Sequence, residues 1–229
     1  GLSLIGSRRV AGGVAELEAA FKRDPNQTRA GAALVMLYLN SKQVPKAVSM
    51  AQSLVKIEPG NPSYQNLLGL ALSQAGQGKD ARGAFESALK INPDMDTAQI
   101  NLARLDIANN ALDLAEKRLL DLINRREKNI DGMIEMASLS VRRNNLPEAI
   151  RWLQRADDVA GPRDVRAGVV LAQMHLAARE PAKALEVARK VSAKDPENIG
   201  ALTNLAQMQI VNNDNIGART TLNNATRFA

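Results

Sequence analysis

The side chains that could carry chemistry are few and badly placed for it. His175 is the only histidine and there is no cysteine. Acid–base or nucleophilic catalysis needs a histidine beside a nucleophile or an orienting partner, and no Ser, Cys or metal-ligand cluster accompanies His175. The carboxylates Asp157 and Asp158 are adjacent in sequence, so on a helix they point in different directions and cannot act as a pair. Gly12-Gly13 does not follow a strand and is no phosphate loop; it reads as a break between two helices. Trp152, beside Leu153, reads as core. The absence of cysteine excludes disulfides, thiolate zinc sites and cysteine nucleophiles. The expectation is a protein that is not an enzyme, with no metal and no cofactor.

Charge suggests nucleic acid at first sight. The formal net charge is +6 and the isoelectric point is about 9.8, and phosphate neutralisation drives such binding. The basic residues are however interleaved with acids along helices, and the densest knots are only Arg8-Arg9, Arg125-Arg126 with Lys128, and Arg142-Arg143. With two Tyr and one Trp there is almost no platform on which bases could stack. No nucleic-acid partner is expected. No apolar run is long enough to span a membrane, and no secretory leader stands within the sequence, although one could precede it.

The elements that must position any site announce themselves by spacing. Pro25, Pro59 and Pro93 fall 34 residues apart, each closing an amphipathic stretch. A stride of this length is the mark of a helical solenoid, in which each unit buries its apolar face on its neighbours. In the unit between Pro59 and Pro93 the first half carries Leu68-Gly69 and Leu72, and the second carries Ala81, Phe85 and Ala88. Small residues at 69 and 81 let two helices approach, with Phe85 filling the gap beyond them. Gly76 and Gly78 supply the turn. This pattern resembles the tetratricopeptide repeat, with Leu72 in the usual aromatic slot. It predicts an all-α, right-handed superhelical solenoid of antiparallel helix pairs.

The same frame divides the chain, read as a single array, into a partial unit at 1–27 and units at 28–61, 62–95, 96–129, 130–164, 165–198 and 199–229. From Ala149 to Ala184 the stride lengthens to 35, placing one extra residue at the Gly161-Pro162 turn. Gly1 and Leu4 fit the slots of a unit already begun, with its second helix at Val14, Leu17, Ala20 and Phe21. The chain reads as a piece of a longer array.

Particular stretches narrow the likeness: NLLGLALSQAG at 66–76, AQINLARLD at 98–106, EAIRWLQRA at 148–156 and PAKALEVARK at 181–190. They resemble the TPR-repeat lipoproteins found with exosortase/PEP-CTERM systems and exopolysaccharide operons of Gram-negative bacteria. The most particular element is Asp106, in the slot where generic repeats prefer Tyr. The resemblance implies a periplasmic, outer-membrane-associated protein held to the membrane by a lipid anchor outside this sequence. It also implies a scaffold in envelope export, exopolysaccharide assembly or PEP-CTERM protein sorting.

Within the frame, first-helix positions expected to line a concave groove and bind a partner are Asn66, Leu70 and Gln74, then Asn101, Arg104 and Ile107. Glu135, Ser138 and Arg142 follow, then Gln173, then Asn204 and Gln207. Asn, Gln and Arg can hydrogen-bond the backbone of an extended peptide, and the two arginines favour an acidic or carboxylate-bearing protein partner. The Lys/Asn/Asn/Lys/Arg clamp of co-chaperones is not assembled at these slots. The alternative function is a cytoplasmic adaptor or regulatory array attached to a catalytic domain outside this sequence.

Overall fold

The computed structural model describes residues 2–228, with side chains from Gly12 onward. Among them are thirteen α-helices and no strand, so the fold is all-α. After α1 (Leu2–Arg23) the helices come in pairs. The pairs are α2 (Thr28–Asn40) with α3 (Val44–Ile57), α4 (Pro62–Gln74) with α5 (Gly78–Ile91), and α6 (Asp96–Ala108) with α7 (Leu112–Arg125). They continue with α8 (Ile130–Arg142) and α9 (Leu146–Val159), α10 (Arg166–Ala177) and α11 (Pro181–Lys194), and α12 (Ile199–Val211) and α13 (Asn215–Ala225).

Each pair is joined by a three-residue turn whose middle residue is left-handed. Lys42, Gly76, Asn110, Asn144, Arg179 and Asn213 have φ from 57° to 74°. The next amide then donates back to the carbonyl of Tyr38, Leu72, Asp106, Ser140, His175 or Gln209, at 2.8–2.9 Å. This satisfies a carbonyl that the end of the helix would otherwise leave bare. The opposite links, from second helix to the following first helix, run four residues, except that 160–165 runs six. Asn61, Asn129 and Asn198 cap the helices that follow them, each side chain accepting a backbone amide at 2.7–3.0 Å. Such caps contribute about 1 kcal/mol each.

The helices pack as two compact units that divide inside α6, one running to Leu105 and the other from Asp106. In the first, Leu34, Ala47, Ala51, Leu54, Ala81, Phe85 and Ala88 are buried. A side chain at Gly69 would collide with the Phe85 ring, and one at Gly31 would stand 2.7 Å from Leu54 Cδ2. Helix contact at these points requires glycine by volume. In the second unit Leu119, Leu122, Met133, Leu153, Leu171 and Met208 fill the core, and Gly168 is held against Val191 and Asp157 in the same manner.

Gly12-Gly13 is a correction to the sequence reading. No turn forms there; α1 runs unbroken through both residues. Glycine costs a helix interior only about 1 kcal/mol, and neither position has an atom within 4 Å of where a Cβ would stand. Gly1 lies outside the described residues, as does the side chain of Leu4.

Candidate functional site

The first helices α4, α6, α8, α10 and α12 carry the residues expected to meet a partner, and burial divides them. Gln74, Arg104, Ser138, Arg142, Gln173 and Gln207 are exposed and Leu70 is half-buried, whereas Asn66, Asn101, Ile107, Glu135 and Asn204 are buried. One open row was expected; the first-helix face has an outer layer and an inner one. Leu70, Arg104, Ser138, Gln173 and Gln207 recur at the repeat stride of 34 or 35 residues, which keeps them in one register on successive helices.

The inner layer is built differently in the two units. In the first, Asn101 Nδ2 donates to Asn66 Oδ1 at 2.9 Å, a buried amide-to-amide bond between α6 and α4. Arg104 Nη1 reaches Asn101 Oδ1 at 3.4 Å. This pair clips neighbouring repeats together, and only Arg104 stands in solvent. In the second unit Asn204, 4% exposed, has a hydrogen-bond partner for neither its amide nitrogen nor its oxygen. Leaving buried amide groups unmatched costs about 1–3 kcal/mol each. The residue 35 positions before Asn204 is Val169, where Asn101 has Asn66. Val169 packs with the apolar cluster of Val191 and Ala201 and offers no hydrogen bond.

A second polar column lies in the slot where the repeat usually has an aromatic residue. Tyr38, Leu72, Asp106, Ser140, His175 and Gln209 occupy it, all buried. Asp106, which carries the particular resemblance, is fully buried and accepts from Arg118 Nε at 2.8 Å. Gln209 Oε1 accepts from Thr221 Oγ1 at 2.8 Å. In both cases the partner lies twelve residues on, in the second helix of the pair. His175 Nδ1 meets Glu180 Oε2 at 2.7 Å; because a carboxylate can only accept, this nitrogen carries the hydrogen. Hydrogen bonds from Lys183 and then His175 hold the Glu180 carboxyl below its usual range. The lone histidine therefore joins the end of its helix to the following turn. Burial and then the hydrogen bond to Glu18 push the Tyr38 phenol up to about 12. These locks were missed from sequence; for Asp106–Arg118 and Gln209–Thr221 the twelve-residue spacing of polar residues was the available signal.

Among the described residues no group of three or more His, Cys, Asp or Glu is placed to hold a metal, and no helix is long and apolar enough to cross a membrane.

The helix pairs, their turns and the small-residue contacts define a tetratricopeptide fold, and the family models agree. Tetratricopeptide repeat models match residues 4–71, 72–132 and 134–199. The chain belongs to the tetratricopeptide repeat family. No curated protein sequence matches it significantly. Solved structures similar to it include a tetratricopeptide repeat protein from Parabacteroides merdae, with TM-score 0.64 and 16% identity over 100% of this chain and 90% of that one. PilW, described as a type IV pilus biogenesis factor, has TM-score 0.62 and 18% identity, covering 89% of this chain and 94% of its own. Yeast Tom70 has TM-score 0.68 and 16% identity, covering 94% of this chain and 54% of its own. At these identities the likeness is one of fold. Proteins of this fold are in general non-catalytic scaffolds that bind protein partners.

Proposed function

We propose that this chain is a non-catalytic scaffold whose first helices bind a protein or peptide partner in envelope export, exopolysaccharide assembly or PEP-CTERM protein sorting. The observation that carries the binding reading is Asn204, a buried amide with neither polar atom matched, beneath the exposed Gln207 one helical turn on. An extended peptide supplies both a donor and an acceptor at each residue, so a small shift of neighbouring side chains on binding would satisfy both atoms at once. Arg104 and Arg142, exposed on their helices, give the partner reason to be acidic. The export reading rests on the resemblance of the stretches at 66–76, 98–106, 148–156 and 181–190, and similarity to a pilus biogenesis factor accords with it. In this reading the protein is periplasmic, at the outer membrane through a lipid anchor outside this sequence.

A photo-crosslinking residue in place of Gln207, in the native cell, tests both parts. A captured envelope protein or exported peptide supports the reading. Capture that survives Asn204→Leu and the double change Arg104→Ala/Arg142→Ala, with helicity intact, removes the first helices as the binding face. Capture of cytoplasmic enzymes alone replaces export with the adaptor alternative.

A further inference from the structure

Charge is shared unevenly between the two kinds of helix in the second unit. The second helices α9 and α11 are rich in Lys, Arg, Asp and Glu. The first helix α12 has none of these, and α10 has only Arg166, at its first position, where Asp131 and Asp164 engage it. What α10 and α12 show to solvent is amide and aliphatic. Gln173 and Gln207 are exposed, and Ile210 and Val211 are 52% and 43% exposed. Leu176, in the register of Ile210 on α10, is half-buried, and Val141, in the same register on α8, is 39% exposed. Val141, Leu176 and Ile210 make an aliphatic row, and the uncharged Ser138, Gln173 and Gln207 make a polar row three residues before it.

Single aliphatic side chains on a surface are ordinary, but a row in register on successive helices is a strip that a partner can cover. A charged residue laid on α10 and α12 would lose water and meet no opposite charge. The strip ends on a cation: Arg142, next to Val141 on α8, is exposed and has no ion-pair partner among the described residues. Spacing selects the shape of the occupant. First helix α10 packs on first helix α12, and packed helices lie about 8–10 Å apart. A polyproline II segment rises about 9 Å in three residues while completing one turn, so every third side chain returns to the same face. A β-strand covers that distance in three residues too, but turns the third side chain to the opposite face. The polyproline II backbone makes no hydrogen bonds of its own, which leaves its amides and carbonyls to Gln173, Gln207 and the unmatched Asn204.

We propose that the partner segment crossing α8, α10 and α12 is a polyproline II stretch with an aliphatic side chain at every third residue. It is uncharged over α10 and α12 and carries an acid beside the aliphatic residue that reaches α8. This rests on the first-helix face being the binding face, and adds the sequence which that face selects. The probe is the fluorescein-labelled, amidated peptide Asp-Leu-Thr-Pro-Leu-Thr-Pro-Leu-Asp, whose two acids place one near Arg142 in either chain direction. Its isomer Asp-Leu-Thr-Leu-Thr-Leu-Pro-Pro-Asp has the same composition with the leucines two apart. Fluorescence anisotropy with the whole chain should show saturable binding of the first peptide and about tenfold weaker binding of the second. Ile210→Asp should also cost about tenfold, the worth of one aliphatic contact. Lysine in place of both acids should weaken binding about threefold, and Arg142→Glu should reverse that preference. Ile210 and Arg142 are both exposed, and unchanged helicity confirms that each variant folds. Absence of saturation, equal binding of the isomer, or binding undiminished by Ile210→Asp overturns the proposal. If the crosslinker at Gln207 still captures a partner in cells, the selected sequence is wrong and the binding face stands; if it captures nothing, the face is wrong as well.

Discussion

One helical register is filled by Tyr38 and Leu72 in the first unit and by Asp106, Ser140, His175 and Gln209 in the second. Every one of these residues is buried, so the backbone makes the same slot and the side chains fill it by different physics. Leu72 needs only van der Waals contact. Asp106, His175 and Gln209 need named partners, and Arg118, Glu180 and Thr221 supply them. The inner layer of the first helices shows the reverse balance. The first unit matches Asn101 with Asn66, while the second leaves Asn204 unmatched. The repeat thus dictates where a side chain lies but not whether its polarity is answered there. Where it is unanswered, stability has been given up at that point.

The largest effect is expected at the most buried lock. Arg118→Met removes the guanidinium from Asp106, which is fully buried, and breaking a buried ion pair costs about 3 kcal/mol or more. A denaturant midpoint that does not move would mean that Asp106 is held by other groups. In the first unit, Asn66→Leu should cost about 2 kcal/mol, because Asn101 Nδ2 then lies buried without its acceptor. Adding Asn101→Leu should recover much of that loss, and the double-mutant cycle should show coupling of at least about 0.5 kcal/mol. Additive effects would show that the two amides do not depend on each other.

Asn204 should behave in the opposite sense. Asn204→Leu removes two unmatched polar atoms at a buried position, so the protein should become more stable by about 1 kcal/mol. The same change should weaken partner capture. A variant that is destabilised instead would mean the amide is answered in solution, for example by a buried water, and the contrast between the units would disappear.

Much of this arrangement was legible in the sequence. The stride, the helix pairs and the Gly69–Phe85 contact follow from spacing and side-chain volume, and both are local to the repeat. The Asn66–Asn101 bond was not, because its members stand 35 residues apart within a 34-residue repeat. Aligning repeats by column places them in different slots, while neighbouring helices that cross at an angle bring those slots together. Asn66, Asn101 and Asn204 looked like one row, whereas Asn66 and Asn101 bond each other and Asn204 is left unmatched. Gly12-Gly13 misled because glycine lowers the stability of a helix without forbidding it.

The smallest expected effect separates the turns. All six share the left-handed middle residue, which is glycine only at Gly76, asparagine at Asn110, Asn144 and Asn213, and a long cationic chain at Lys42 and Arg179. A left-handed conformation costs an ordinary L-residue about 1–2 kcal/mol, because Cβ crowds the following carbonyl. Glycine escapes that cost but gives back about 0.5–1 kcal/mol in chain entropy. Arg179→Gly should therefore stabilise the second unit by about 0.5 kcal/mol. Asn213→Gly should gain nothing, since asparagine tolerates this conformation and only the entropic loss remains. Thermal melting of the two variants side by side checks the difference. Equal shifts would mean that Arg179 is retained by contacts of its side chain rather than tolerated by its backbone.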